Sequence, residues 1–222
     1  MKIDEIIRTK RKTIAIIVEI DGRVIVRAPL HASEADLVRL VSQKESWIKR
    51  KQAQVRRQYP GLPAKRFING ESFYYLGEQY ELLIVDRSRP QLLLNERFEL
   101  SRDVLAHAEE VFTGWYREAA RRVISERATL IAGDNNLQFE RIRITSARTR
   151  WGSCNSRGGL NFAWRLVMAP LPVIDYVVLH ELVHTQVKNH SRTFWSKVKS
   201  IMPDYRQRYD WLKRNGYLLT LT

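Results

Sequence analysis

Three of the five histidines in this 222-residue chain lie within the segment HELVHTQVKNH, residues 180–190. His180 and His184 are four residues apart, so on a helix they project from one face about one turn from each other. Glu181 completes the arrangement H-E-x-x-H, in which two imidazoles bind one zinc ion and the glutamate acts as general base for an activated water. The residue types suit this chemistry, because neutral imidazole is a good zinc ligand and a carboxylate on the same helix can take the water's proton.

His190 is the predicted third ligand. Asn189 suits the left-handed turn that ends a helix, and such a turn would bring His190 back toward the metal. Three protein ligands leave one position of a tetrahedral zinc ion for water, which is the pattern of catalytic sites. The spacing also matches the metzincin pattern, but Val187 stands at the glycine position of that pattern and weakens this alternative.

The segment that must position these ligands, PVIDYVVLHELVHTQVK (residues 172–188), is apolar nearly all round. This pattern predicts a helix in the middle of its domain. Before it, the sequence predicts a strand (FERIRITSA), an irregular turn (RTRWGSCNSRGG) and a second strand (LNFAWRLVMA). We expect this second strand to form the sheet edge beside the metal, where an extended peptide can pair with its backbone. Two further helices are predicted after Ser191 and Pro203, the last one closed by Gly216.

The N-terminal half reads as β-rich. Two alternating strands joined by Asp21-Gly22 predict a hairpin, and Ser33 predicts the N-cap of one following helix. We expect this helix to end at Tyr59-Pro60-Gly61 and strands to follow between residues 72 and 100. A long amphipathic helix is predicted over residues 102–132. The predicted fold class is α+β, with an N-terminal β-rich region over residues 1–98 and a metallohydrolase domain over residues 99–222.

The chain is strongly basic, with 38 Lys and Arg against 24 Asp and Glu and a net charge of +14. Residues 1–60 hold 14 of these basic and 7 of the acidic residues, so they carry +7. A basic surface attracts polyanions, but no nucleic-acid-binding motif accompanies the charge, and a solvated face is the simpler interpretation. No apolar run approaches the ~20 residues of a membrane-spanning helix. A single cysteine and the lack of a secretory signal favour a cytoplasmic location.

The runs RTRWGSCNSRGGLNFAWRLVMAP, VLHELVHTQVKNHSRTFW and MPDYRQRYDWL resemble the YgjP-type metal-dependent hydrolases, which are bacterial relatives of the SprT-like and WLM zinc metallopeptidases. The resemblance is strong over roughly residues 145–217. It implies a zincin-like domain with a small sheet and an active-site helix, zinc held by His180, His184 and His190, and Glu181 as catalytic base. Members are commonly described as metallopeptidases, and a UTP pyrophosphatase activity is also associated with the group.

Two reactions are compatible with such a site. Peptide hydrolysis is the usual chemistry of the motif and ranks slightly first. Hydrolysis of a nucleotide pyrophosphate is the alternative, and it requires cations that hold the phosphates. The candidates for this substrate-binding role lie around the turn and the last ligand: Arg148, Arg150, Arg157, Lys188 and Arg192.

A third hypothesis is a non-catalytic, zinc-stabilised module that binds nucleic acid. Trp47, which lies among basic residues, could serve such a module, but we expect it to anchor its helix in the core. Glu181 argues against this hypothesis, since a structural zinc site does not require it.

Overall fold

The structure, a computed structural model, describes residues 3–18, 22–58, 65–86 and 89–221. The chain divides into two compact units, one ending at Ala64 and one running from Lys65 to Leu221. The fold is α+β, as predicted, with three small sheets and six α-helices in the described part of the chain. None of the described helices is both long and apolar enough to cross a membrane.

The sheet of the first unit consists of β1 (Glu5–Thr9), β2 (Ala15–Val18) and β3 (Val24–Pro29). β2 and β3 pair antiparallel, which confirms the predicted pairing, although Asp21 of the connecting turn lies outside the described residues. An additional strand, β1, was not predicted; it pairs in parallel with the other side of β3. The middle strand is therefore β3, and its alternate residues Val24, Val26 and Ala28 form the core of this unit together with residues of the two helices that follow.

Two helices, α1 (Glu34–Gln43) and α2 (Glu45–Gln58), follow where the sequence predicts one. Ser33 caps α1 as predicted, since its Oγ accepts a hydrogen bond from the backbone N–H of Asp36 at 3.1 Å. The helix end predicted at Tyr59-Pro60-Gly61 lies outside the described residues.

The side chain that anchors α2 is Ile48, which is fully buried in the core of the first unit. Trp47 keeps 37% of its surface exposed, so the prediction that Trp47 is the anchor is wrong. Adjacent residues on a helix point about 100° apart, and only one of the two can face the core.

The second unit begins with a four-stranded sheet and a long helix. The predicted strands between residues 72 and 100 are confirmed, and the amphipathic pattern after them forms a short 3₁₀ turn and then the helix. The elements are β4 (Ser72–Tyr75), β5 (Glu78–Val85), β6 (Leu92–Leu94), β7 (Phe98–Ser101) and α3 (Ala108–Asp134).

The strand order of this sheet is β4-β5-β7-β6, and its apolar face packs on α3. Phe98 on β7 is fully buried, with its ring centroid 5.2 Å from that of Phe112 on α3. The domain boundary predicted near residue 98 therefore falls inside the second unit, because the strands before it share one core with the helix after it.

The remaining elements surround the predicted metal ligands. They are β8 (Ile142–Thr145), β9 (Gly152–Cys154), β10 (Leu160–Ala163), α4 (Leu171–Val183), α5 (Arg192–Ile201) and α6 (Tyr205–Asn215). The last two helices start after Ser191 and Pro203 as predicted, and Gly216 is the C-cap of α6.

The three-stranded sheet has the order β8-β10-β9, and this corrects two predictions. The segment predicted as an irregular turn contains β9, which is an edge strand of this sheet. The predicted edge strand LNFAWRLVMA instead supplies the central strand β10, and after Ala163 it continues as a 3₁₀ helix. Asn155 closes the β9–β10 hairpin, because its Oδ1 accepts hydrogen bonds from the backbone N–H groups of Arg157 and Gly159, each at 2.9 Å.

Helix α4 is buried on several sides, as its all-round apolar sequence predicts. It ends at Val183, five residues before the predicted end. Near its start, Asp175 accepts two hydrogen bonds from Arg127 on α3, from Nε at 2.6 Å and from an Nη at 2.9 Å. Both side chains are mostly buried, so this two-point ion pair ties α4 to the long helix.

Asp175→Asn should lower the free energy of unfolding by about 1–2 kcal/mol, because a charge-assisted pair is lost and the Arg127 guanidinium remains partly buried. Urea unfolding followed by circular dichroism measures this change. The matched control is Asp86→Asn, which removes the exposed ion pair with Arg102 and should leave the unfolding midpoint unchanged. Equal effects of the two substitutions would show that the α3–α4 pair has no special structural importance.

Candidate metal centre

The structure brings the three predicted ligands, His180, His184 and His190, into one cluster. Their Nε2 atoms are separated by 3.2 Å for His180 and His184, 3.1 Å for His184 and His190, and 2.9 Å for His180 and His190. Among the described residues, these histidines are the group of His, Cys, Asp and Glu side chains arranged to hold a metal ion. His180 is in the last turn of α4, and His184 is the C-cap residue with helical backbone angles, so both side chains leave the same side of the helix.

The chain returns to place His190 by a tight turn directly after α4. The backbone N–H of Thr185 donates to the carbonyl of Leu182, and that of Val187 donates to the carbonyl of Val183. Asn189 is not among the residues with a positive φ, so the left-handed turn predicted there is wrong. The chain turns earlier, between Thr185 and Val187, where backbone N–H groups bond to the last carbonyls of α4.

A hydrogen bond from Nδ1 of His184 determines that Nε2 of this ring faces the cluster. Its Nδ1 lies 3.0 Å from the carbonyl oxygen of Val187. A carbonyl only accepts, so Nδ1 carries the proton and Nε2 is left with a free lone pair directed at the other two histidines. A ligand histidine in metal sites commonly has its other nitrogen bonded in this way.

The cluster fits a divalent metal ion in both distance and charge. Two nitrogens bound to one tetrahedral zinc ion at ~2.0–2.1 Å lie about 3.3 Å apart, close to the separations seen here. Burial, together with the neighbouring His184 and His190, lowers the pKa of His180 to about 3, and burial also lowers the pKa of His184. Neutral imidazoles are the form that binds metal. A cation among the three nitrogens would accept a lone pair from each of them.

Aromatic rings of α5 fix the orientation of the imidazoles. Phe194 is fully buried, and its ring centroid lies 4.8, 4.5 and 4.9 Å from those of the three histidines in chain order. Trp195 stacks on His190 at 5.7 Å. The spacing of Phe194 and Trp195 in the sequence does not distinguish them from ordinary core residues, so their contact with the cluster could not be predicted.

Glu181 is one of two buried polar or charged side chains among the described residues, with 6% of its surface exposed. Burial raises its pKa to about 7, and the Arg150 cation acts in the opposite direction. The carboxylate lies against the backbone of β9, because a Cβ atom built on Gly152 would lie 2.6 Å from both Cγ and Oε1 of Glu181. Gly152 therefore leaves the space that this side chain occupies, a role the sequence analysis did not assign to it.

A cleft of about 180 Å³ lies on the three-stranded sheet and shares Gly152 with the Glu181 contact. Arg150 is the one predicted substrate-binding cation in its lining. Arg148, Arg157 and Arg192 are exposed and do not line the cleft. Lys188 is exposed close enough to His184 for its charge to contribute to the lowered pKa of that imidazole. The lining residues are Thr145, Ala147, Arg150, Trp151, Gly152, Ser153, Asn161 and Ala163.

Comparison with family models places the chain in a known family. A family model described as YgjP-like, metallopeptidase domain, matches residues 12–215, which include the histidine cluster, Glu181 and β9. The search of curated proteins finds no match.

Metal analysis of purified protein should find one divalent ion per chain, with each of His180→Ala, His184→Ala and His190→Ala weakening its binding. Loss of an outer-shell partner alone costs ~10–100-fold in metal affinity, so loss of a ligand should cost more than about 100-fold. Elemental analysis and competition with a chromogenic chelator measure this effect. His31→Ala and His107→Ala are matched controls outside the cluster and should bind metal like the wild type. Binding by His190→Ala equal to the wild type would contradict a three-histidine site.

Proposed function

Because the chain belongs to the YgjP-like metallopeptidase family, we propose that it is a zinc-dependent hydrolase that cleaves peptide bonds. The observation that carries this proposal is the convergence of three imidazole Nε2 atoms beside the buried Glu181. His180, His184 and His190 would hold the ion, and a set of three nitrogen ligands suits zinc. When bound, zinc polarises a carbonyl and lowers the pKa of a water molecule toward neutrality.

Glu181 is the proposed general base. It takes a proton from the attacking water and later passes it to the leaving amine. Its carboxylate lies between α4 and the backbone of β9, with little exposure to solvent. This confinement holds the carboxylate in one place, as proton transfer requires.

The free edge of β9 is the proposed docking site for an extended peptide. In the described sheet, β9 pairs only with β10, so its outer N–H and C=O groups can hydrogen-bond an added strand. A peptide on this edge would run past Gly152, and the Glu181 carboxylate lies against that glycine. The docking edge predicted from the sequence was the strand over residues 160–169. Because that strand is central in its sheet, the proposed docking edge is β9.

Hydrolysis of a nucleotide pyrophosphate is the second candidate, and Arg150 is the observation that favours it. This exposed cation lines the cleft and acts electrostatically on Glu181. Phosphoryl transfer normally requires several cations around the phosphates, whereas the other four predicted cations do not line the cleft. Peptide hydrolysis is therefore better supported. A purely structural zinc site is supported least, since it has no use for a buried carboxylate.

The direct test compares wild type and Glu181→Gln on an unfolded protein and on UTP. We expect the wild type to cleave the protein substrate and Glu181→Gln to be at least about 100-fold slower, because the base is lost while the shape is kept. Both proteins should contain the same amount of zinc. Turnover of UTP alone, abolished by the same substitution, would replace the peptidase assignment with the nucleotide one. Full activity in Glu181→Gln would refute the proposed base.

Gly152→Ala should reduce kcat while leaving the zinc content unchanged. The added Cβ would lie 2.6 Å from Oε1 of Glu181, so the carboxylate must move, and a displacement of about 1 Å can cost on the order of 100-fold. The control is Gly114→Ala on α3, where a Cβ would meet nothing within 4 Å and the rate should not change. A Gly152→Ala protein with normal kcat would show that the position of Glu181 does not depend on this glycine.

A further inference from the structure

Helix α2 of the first unit exposes an aromatic ring among cations. Arg50, Lys51 and Gln54 lie three, four and seven residues after Trp47, so all four share one side of the helix. We name this surface the Trp47 face. All four side chains are exposed, with 37% of the surface of Trp47 accessible. Ile48, next to Trp47 in the chain, points about 100° away from it around the helix, and it is fully buried and holds that side of α2 in the core.

The Trp47 face carries positive charge, and among the described residues no acidic side chain forms an ion pair with Arg50 or Lys51. The acidic residue of α2 is Glu45, and its carboxylate pairs with Lys49 at 2.8 Å, on another side of the helix. Lys51 donates a hydrogen bond to the amide oxygen of Gln54 at 3.0 Å, which orients the ammonium group but leaves its charge. The face lies in the part of the sequence that carries half of the net charge of the whole chain.

We propose that the Trp47 face binds single-stranded nucleic acid. An exposed indole offers a flat surface on which an unpaired base can stack, and such stacking tolerates any base sequence. Arg50 and Lys51 both lie about one helical turn after the ring and can contact the phosphates on that side of a stacked base. In a duplex the faces of the bases are occupied by their neighbours, so the stacking component is available only to unpaired bases.

An anionic membrane is the main competing partner for a basic helix with an exposed tryptophan. Membrane-surface helices present a continuous apolar stripe outward, with several large side chains that enter the lipid. Between residues 45 and 55, the exposed positions other than Trp47 are Ser46, Lys49, Arg50, Lys51, Ala53 and Gln54. The apolar side of α2 is used in the core, so the composition favours a nucleic acid. The proposal does not depend on the metal site.

The test is fluorescence anisotropy of a labelled 20-nucleotide single strand, as DNA and as RNA, titrated with the full chain at several salt concentrations. We expect a dissociation constant of ~1–100 μM near physiological salt and weaker binding of the matching duplex. Trp47→Ala should weaken binding at least about fivefold, and Trp47→Phe should retain most of the affinity because a ring remains.

Charge contacts are tested separately with Arg50→Gln/Lys51→Gln. Loss of two phosphate contacts should reduce the slope of log affinity against log salt by about 1.4. The matched control is Lys199→Gln/Lys213→Gln, which removes the same charge from exposed positions on α5 and α6 and should leave the slope unchanged.

Four results would overturn the proposal. In the first, the wild type fails to bind the oligonucleotide, and in the second it binds phosphatidylserine vesicles and not the oligonucleotide. In the third, folded Trp47→Ala binds as tightly as the wild type. In the fourth, Lys199→Gln/Lys213→Gln loses as much affinity as Arg50→Gln/Lys51→Gln. Circular dichroism establishes that each variant is folded.

Discussion

The structure depends on one costly arrangement, in which three imidazoles and a buried carboxylate are gathered at the end of a helix that runs through an apolar core. The Nε2 atoms of His180, His184 and His190 lie within 3.2 Å of one another, and Glu181 is almost fully buried beside them in the chain. Polar groups in such surroundings destabilise a fold unless partners compensate them. A bound cation would supply this compensation for the imidazoles, and the proposed chemistry would use the same ion.

The surrounding elements hold these groups in place. Helix α4 is buried on several sides and is tied to α3 by the pair of Asp175 and Arg127. Phe194 of α5 contacts all three imidazole rings, and the backbone of β9 at Gly152 lies against the carboxylate. Each contact comes from a regular helix or strand rather than a long loop, and such elements hold a site with greater precision.

The sequence by itself determined the features that depend on local spacing. Two histidines four residues apart must share a helix face, the apolar run before them must be a buried helix, and Ser33 must cap the helix that follows it. The alternating strands and the long helix α3 follow from the same periodicities. These predictions succeed because the information lies within a few residues of each position.

Tertiary structure alone decided which distant segments meet. β9 has three residues, too few for a periodic signal, yet as an edge strand of its sheet it brings Gly152 against Glu181, twenty-nine positions later in the chain. On α2, Trp47 and Ile48 are both apolar, and only the packed core shows that Ile48 is inside and Trp47 outside. Likewise, only the fold shows that β7 and α3 pack into one core. Such contacts depend on the relative placement of whole elements, and no local pattern encodes that placement.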